Sequence, residues 1–218
     1  MIRAVIFDLG GVVLGSPLHA IAAYEREQGI AAGSVNRVVA ATGAEGAWGR
    51  LERGLIGLAA FVPAFEAECT AAGFTIDARA LMERMGAASR PRPAMLAAIR
   101  SLRACGLRVA ALTNNWPSEE RDDGTRALRG HFDAFFESSA LGMQKPDPRI
   151  YRHACTALAI APEEAVFLDD IGRNLKAARA LGMTTIKVDT PEQALAELAR
   201  LLPGSPLGDN LDQDIEIG

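Results

Sequence analysis

Short apolar runs rich in β-branched and aromatic residues recur along the chain, separated by longer stretches with helical periodicity. These runs cover residues 4–7, 109–112, 132–136, 166–168 and 185–188. Short apolar strands that alternate with amphipathic helices are typical of a parallel sheet with helical crossovers. The pattern therefore predicts an α/β fold with a parallel sheet.

The stretch between the first two predicted strands is far longer than a single crossover requires. Residues 20–86 show only helical periodicity, interrupted at glycine-containing breaks, which predicts an inserted helical subdomain. The stiff, polar segment 89–93 and the region of Gly15 to Pro17 are the expected hinges. The predicted organisation is a core of residues 1–15 and 91–202, a helical cap of residues 16–90 and a flexible tail of residues 203–218.

Composition narrows the range of partners. The chain has 218 residues, of which 49% are hydrophobic and 23% charged, so it can bury a core and cover it with polar surface. A net charge of −4 gives no electrostatic signature for nucleic acid or an anionic membrane, and no window has the length of a membrane span. Three widely separated cysteines fit a reducing cytoplasm. We expect a cytoplasmic protein that binds a small molecule.

Reactive side chains stand at or beside the ends of these runs or in one proline-rich segment. They are Asp8, the pair Thr113 and Asn114, Lys145 in QKPDP, and the pair Asp169 and Asp170. Residues that end separate parallel strands converge at one edge of the sheet. Taken alone, Asp8 before two glycines suggests a turn, and Lys145 before Pro-Asp-Pro suggests a solvated loop. Together they form a set that can bind Mg²⁺ and a phosphoryl group.

The order of these segments resembles the haloacid dehalogenase superfamily, most of whose members are phosphatases. The stretches TNNW, HFDAFFES, GMQKPDPRIY and FLDDIGRNLKAARALGM are similar to the N-terminal phosphatase domain of soluble epoxide hydrolases. They are also similar to the N-terminal domain of certain acyl-CoA dehydrogenase fusions. The resemblance implies a Rossmann-like, three-layer αβα core with an inserted helical cap.

The resemblance also implies catalytic roles. Asp8 would attack phosphorus and form a transient aspartyl phosphate, which water then hydrolyses. The hydroxyl of Thr113 and the backbone amide of Asn114 would hold the phosphoryl oxygens, and Lys145 would compensate the negative charge. The implied reaction is hydrolysis of a small-molecule phosphate ester.

A Mg²⁺ cofactor would be bound by Asp8, the backbone carbonyl of Gly10 and Asp170, since hard oxygen ligands suit this ion. Asp169 is included in the predicted metal site, but adjacent side chains at a strand end diverge, so that both need not touch the ion. Asp170 is the expected direct ligand, and Asp169 is expected to act through a water molecule or through hydrogen bonds. Asn174 is positioned to orient either carboxylate from the next helix.

Gly10 departs from the family pattern, because the phosphatases of this superfamily carry a second Asp two residues after the nucleophile. That Asp normally protonates the leaving group and activates water, so its loss weakens acid and base catalysis. The candidate replacements are His19 and Glu52 of the cap; otherwise the substrate has a good leaving group. Trp48 either lines the pocket from the cap or belongs to the cap core, and the core is favoured.

Two rival functions stay open. A non-catalytic module that binds phosphometabolites is favoured by Gly10 and opposed by the intact Asp8, Lys145 and Asp170. A metal-independent 2-haloacid dehalogenase also uses an Asp nucleophile, but it would leave the pair of Asp169 and Asp170 without a purpose. The sequence leaves the oligomeric state and the substrate open.

Overall fold

The computed structural model describes residues 1–116 and 128–204. Within these residues, five parallel strands form one sheet in the order β3-β2-β1-β4-β5. The strands are β1 (Ala4–Phe7), β2 (Arg108–Thr113), β3 (Ala134–Glu137), β4 (Ala165–Asp169) and β5 (Thr184–Lys187). The predicted α/β fold with a parallel sheet is confirmed.

Helices of the described residues fall into an inserted group and a group that flanks the sheet. They are α1 (Pro17–Glu27), α2 (Ser34–Thr42), α3 (Ala47–Glu52), α4 (Leu58–Ala71), α5 (Ala78–Ala88), α6 (Pro93–Ala104), α7 (Ser138–Leu141), α8 (Pro148–Ala157), α9 (Gly172–Ala180) and α10 (Pro191–Leu201). None of the helices described is long and apolar enough to cross a bilayer.

Strand side chains alternate between two apolar cores, one on each face of the sheet. Val5 and Phe7 of β1 face a cluster that includes side chains of α6 and α10. Ala4 and Ile6 face a second cluster with α8 and α9. Because successive side chains of a strand point to opposite faces, β1, β2 and β4 each contribute to both cores. This arrangement is the expected three-layer αβα core.

The start of β3 differs most from the sequence expectation. The apolar run was predicted as a strand from residue 132, but β3 begins at Ala134. Asp133 is the reason, since its carboxylate accepts a hydrogen bond of 2.9 Å from the backbone amide of Val109. Phe132 instead packs into the apolar core that includes side chains of α6 and α10. An apolar run alone does not reveal such a turn.

Helices α1 to α5 form the cap, inserted between β1 and α6. They pack around a separate apolar cluster that includes Trp48, Phe61, Phe65 and Leu81. The predicted helical insertion is confirmed. The predicted tail of residues 203–218 lies outside the described residues from position 205 onward.

The two chain segments that connect cap and core lie side by side. Leu14 pairs with Pro91 in an antiparallel bridge, and the amide of Gly15 donates a 2.9 Å hydrogen bond to the carbonyl of Arg90. A Cβ atom on Gly15 would lie 2.1 Å from the carbonyl oxygen of Ala88, so only glycine allows this close approach. We call this pairing the linker ribbon. The predicted domain boundaries coincide with this ribbon. The pairing supports that division of the chain, which stays a prediction.

Candidate active site

The carboxyl ends of β1, β2 and β4 meet at one edge of the sheet, beneath the cap. Asp8 follows β1, Thr113 ends β2 and Asp169 ends β4. A cavity of about 320 Å³ opens at this edge. Its walls include most of the predicted site residues, namely Asp8, Gly10, Thr113, Asn114, Lys145 and Asp170. Asp169 is completely buried and lies outside the lining.

Lys145 is buried between two carboxylates. Its Nζ lies 2.8 Å from Oδ1 of Asp8 and 2.7 Å from Oδ2 of Asp169. The local sequence alone suggested a solvated loop residue, but only 1% of the surface of Lys145 is exposed. Burial lowers the pKa of the Lys145 ammonium, but Asp169 and Asp8 outweigh that effect and hold it above its ordinary value. The lysine therefore remains charged beside Asp8.

Excess negative charge distinguishes this edge of the sheet. Burial raises the pKa of Asp8 to about 7, although Lys145 opposes the shift, and Asp169 adds to it. Burial, followed by the charge of Asp169, raises the pKa of Asp170 to about 6. Three carboxylates and one ammonium are thus in close proximity. A further cation at this point would lower the electrostatic free energy of the site.

The arrangement of the carboxylates fits a small divalent cation. Asp8, Asp169 and Asp170 can each offer one oxygen such that these atoms lie within 4.8 Å of one another. Oxygen donors of this kind are the ligands that Mg²⁺ prefers. Gly11 makes the approach possible, because a Cβ atom there would lie 2.1 Å from Oδ2 of Asp170 and its φ is +79°. Gly11 was not among the predicted site residues, although the Gly-Gly pair at positions 10 and 11 was a signal for it.

Asp169 and Asp170 differ in their surroundings. Oδ1 of Asp169 accepts a 2.7 Å hydrogen bond from the amide of Ile171, and Oδ2 accepts one of 3.0 Å from Nδ2 of Asn174 in addition to the contact with Lys145. Asp170, by contrast, lines the cavity. This difference supports Asp170 as the direct metal ligand and Asp169 as the residue that positions Lys145. Asn174 was expected to orient either Asp169 or Asp170, and in the structure it contacts Asp169.

Asn114 supports the lysine through its side chain. Its Oδ1 accepts a 2.8 Å hydrogen bond from the amide of Lys145, and its Nδ2 donates one of 3.0 Å to the carbonyl of the same residue. Both polar atoms of the Asn114 side chain therefore have hydrogen-bond partners. The backbone amide of Asn114 is the group that can donate to a phosphoryl oxygen. Thr113 is 4% exposed and lies beside it in the cavity wall.

Glu52 is the cap carboxyl group that reaches this cavity. Its Oε1 accepts a 3.0 Å hydrogen bond from Nε1 of Trp48, and its Oε2 accepts one of 3.1 Å from Nδ2 of Asn114. Burial raises the pKa of Glu52. His19, the other candidate for the missing acid, is exposed on α1 and is not among the lining residues. The structure thus favours Glu52 over His19.

Two tryptophans form part of the cavity wall. Trp48 is buried in the cap core, with edge-to-face contacts to Phe61 and Phe65, and it also lines the cavity. Both interpretations of this residue are therefore correct. Trp116 lies 6.5 Å from Trp48 between ring centroids. Its place in the cavity wall was not predicted, although it directly follows the Thr-Asn-Asn segment.

Because residue 10 is a glycine, the cavity has no carboxylate at this position. Its backbone is extended, with φ −66° and ψ 123°. A Cβ atom there would lie 3.2 Å from two ring carbons of Pro17, the first residue of α1. A larger side chain would therefore require a small shift of the Pro17 ring.

Comparison with known proteins gives one family. The model of the haloacid dehalogenase-like hydrolases matches residues 2–182. Acyl-CoA dehydrogenase family member 10 of Mus musculus is 38% identical over 208 residues, which cover 94% of this chain and 19% of that protein. Bifunctional epoxide hydrolase 2 of Sus scrofa is 34% identical over 214 residues, which cover 92% of this chain and 39% of that protein. The chain thus spans less than half the length of either relative.

Further matches include curated phosphatases. Among solved structures, a haloacid dehalogenase family enzyme of Bacteroides thetaiotaomicron in complex with magnesium and inorganic phosphate has a TM-score of 0.58 at 20% identity. The match covers 86% of this chain and 94% of that chain. At this identity, the structural match establishes the fold.

Proposed function

Because the chain belongs to the haloacid dehalogenase-like hydrolases, we propose that it is a Mg²⁺-dependent phosphomonoester hydrolase that works through an aspartyl phosphate on Asp8. The observation that carries the proposal is the position of the Asp8 carboxylate in the cavity, 2.8 Å from the buried ammonium of Lys145. The curated phosphatases among its relatives support the same reaction class. The substrate is a small phosphate ester.

In the first step, an oxygen of Asp8 attacks phosphorus, and the bond to the leaving oxygen breaks. Lys145 offsets the negative charge of the carboxylate and of the phosphoryl group, which would otherwise repel each other. The hydroxyl of Thr113 and the backbone amide of Asn114 hold two phosphoryl oxygens in place. Water then attacks the phosphorus of the aspartyl phosphate and releases inorganic phosphate.

Asp8, the carbonyl of Gly10 and Asp170 would hold Mg²⁺, with Asp169 behind them. When bound there, Mg²⁺ supplies positive charge that screens the repulsion between a carboxylate and a phosphate dianion. The raised pKa values of Asp8 and Asp170 support a cation site, because burial removes both carboxylates from solvent and the charge of Asp169 adds to the shift, so that a bound cation would stabilise their ionised forms. This support is independent of the relatives.

The cap contributes mainly apolar surface to the cavity, which suits the non-phosphate part of a substrate. The apolar side chains on the cap side include Leu18, Ile21, Val39 and Trp48. Apolar walls of this kind reduce the access of water to the reacting groups and so strengthen the electrostatic interactions around Asp8. The cap is therefore the region that selects the substrate.

A second candidate function is a non-catalytic module that binds phosphorylated metabolites. The absence of an acid side chain at Gly10 favours it. The buried pairing of Lys145 with Asp8 opposes it, since a binding site for a dianion gains nothing from a carboxylate at its centre.

The decisive experiment is a panel of phosphomonoesters incubated with the protein in Mg²⁺ or in EDTA, with phosphate release as the measurement. Hydrolysis in Mg²⁺ only, absent in Asp8→Asn, supports the proposal. Tight Mg²⁺-dependent binding without turnover supports the binding module. Chloride release from 2-chloropropionate in EDTA supports a haloacid dehalogenase and contradicts our proposal.

A further inference from the structure

The proposed reaction needs a proton donor that position 10 does not supply. An alkoxide is a poor leaving group unless it is protonated as the bond to phosphorus breaks. Among the residues described, the ionisable side chains that line the cavity are Asp8, Glu52, Lys145, Asp170 and Arg173.

Four of these five groups are unsuited to proton donation. Asp8 is the nucleophile, and Asp170 is assigned to the cation. Lys145 is held as an ammonium by two carboxylates, and an arginine does not lose its proton in proteins. The remaining group is the carboxyl of Glu52.

The position of Glu52 is fixed from both sides of the junction between cap and core. Its two carboxyl oxygens accept hydrogen bonds from Trp48 of the cap and from Asn114 of the core. Its backbone carbonyl accepts a 2.5 Å hydrogen bond from the hydroxyl of Ser138, which begins α7 of the core. Glu52 is thus held where the end of α3 meets the core.

We propose that Glu52, from the cap, is the general acid and base of this enzyme in place of the acid that position 10 lacks. This inference rests on the proposed phosphatase function. In the first step, the proton of the Glu52 carboxylic acid moves to the leaving oxygen as the bond between that oxygen and phosphorus breaks. In the second step, the Glu52 carboxylate takes a proton from the attacking water, phosphate leaves Asp8, and the acid form of Glu52 is restored.

The electrostatic environment of Glu52 suits this cycle. Burial raises its pKa, while the hydrogen bond from Trp48 and the positive charges of Arg173 and Lys145 oppose that shift. A larger fraction of Glu52 is protonated at neutral pH than of an exposed glutamate. The same cations help the carboxylate form during the reaction.

A positioning role for Glu52 makes a different prediction. Glu52 contacts Asn114, and Asn114 holds the backbone of Lys145. If Glu52 acted only through this chain of contacts, its loss would slow every substrate alike, because Lys145 acts on the phosphoryl group common to all of them. A proton donor matters most for substrates with a poor leaving group. The choice of leaving group therefore separates the two roles.

The test compares Glu52→Gln with the unaltered protein on propyl phosphate and on 4-nitrophenyl phosphate in Mg²⁺. We expect kcat/KM to fall about 100-fold or more on propyl phosphate and only about threefold on 4-nitrophenyl phosphate. Glu45→Gln is the matched control, since Glu45 lies in the same cap segment with 87% of its side chain exposed and outside this cavity. The control should hydrolyse both substrates at unaltered rates.

An equal loss on both substrates, or no loss on propyl phosphate, would overturn the proposal. A second measurement needs no variant: in the unaltered protein, the rate across a series of phosphate esters should depend only weakly on the pKa of the leaving alcohol. A steep dependence would also overturn it. If the unaltered protein hydrolyses neither ester, the phosphatase function itself fails, whereas hydrolysis of 4-nitrophenyl phosphate alone rejects only the role of Glu52.

Discussion

Lys145 and Asp169 form a buried ion pair, with 2.7 Å between Nζ and Oδ2 and almost no exposed surface on either side chain. The same ammonium reaches Asp8 at 2.8 Å. Asp169 thus holds Lys145 at the right distance from the proposed nucleophile. Removing the charge of Asp169 would leave Lys145 with Asp8 as its partner, and Lys145, Ile171 and Asn174 would each lose a charged acceptor.

Asp169→Asn should therefore both destabilise the protein and reduce its activity. We expect the free energy of unfolding to fall by about 1–3 kcal/mol, because these buried donors lose a charged acceptor. Urea unfolding and kcat on 4-nitrophenyl phosphate measure the two effects. Asp147→Asn is the matched control, because Asp147 pairs with the exposed Arg149 and such surface pairs contribute about 1 kcal/mol or less. Similar unfolding midpoints for the two variants would contradict the assigned role.

Asp8→Asn should stabilise the metal-free protein at high pH. The pKa of Asp8 is raised by burial from 3.8 to about 7, so protonation of this group favours the folded state. Its stabilising contribution is complete below pH 3.8 and is lost as the pH rises through about 7. The neutral Asn does not incur that loss.

Thermal unfolding in EDTA at pH 5 and pH 8 measures this effect. The variant should melt above the unaltered protein at pH 8, by about 2–4 °C for each kcal/mol, with a smaller difference at pH 5. Mg²⁺ at pH 8 should reduce or reverse the difference, since only the unaltered protein has the carboxylate to bind it. A difference that does not change with pH would show that the charge of Asp8 is not its cause.

Gly11→Ala should weaken Mg²⁺ binding. The new Cβ atom would lie 2.1 Å from Oδ2 of Asp170, so the carboxylate must move away from the other two. Displacing a ligand or its support typically weakens metal affinity by about 10- to 100-fold. Titration calorimetry measures the dissociation constant.

Gly29→Ala is the matched control for Gly11→Ala. Gly29 also has a positive φ, at +67°, but no atom lies within 4 Å of its Cβ position. Both variants share the backbone strain, so the difference between them isolates the contact with Asp170. Equal Mg²⁺ affinities in the two variants would reject the proposed role of Gly11.

Gly10→Asp should restore turnover of propyl phosphate in the Glu52→Gln protein. A carboxyl group at position 10 offers the missing proton, and we expect about a tenfold or larger gain in kcat, against a smaller gain when Glu52 is intact. Gly10→Asn in the same background is the control, because it makes the same 3.2 Å approach to Pro17 without an acid. Equal rates for the Asp and Asn variants would mean that position 10 cannot serve as the acid in this fold.

Much of the site could be predicted because parallel strands carry their carboxyl ends to one edge of the sheet. Asp8, Thr113 and Asp170 each follow or end an apolar strand, so their meeting depends only on the order of the strands. The burial of Lys145 could not be predicted in this way. Its segment is a polar loop by composition, and its partners lie in other strands.

Two further contacts depend on how separate parts of the chain fit together. Glu52 reaches Asn114 only because the end of α3 rests on the core, and helical periodicity within the cap contains no information on that contact. Gly11 was visible as half of a Gly-Gly pair, but the need for glycine comes from Asp170, more than 150 residues away. The local sequence pattern thus located the reactive residues, and tertiary packing determined which partner each of them contacts.

The linker ribbon limits how the cap can travel. Two unpaired connecting segments would let the cap rotate in any direction. The segments of the linker ribbon are joined by the hydrogen bond from Gly15 to Arg90 and by the bridge between Leu14 and Pro91, so they resist twisting about their common axis. Bending of the paired stem keeps these contacts, whereas twisting would break them, so the linker ribbon favours a hinge-like motion of the cap. A hinge of this kind would return the carboxyl group of Glu52, at the end of α3, to the same position beside Asn114.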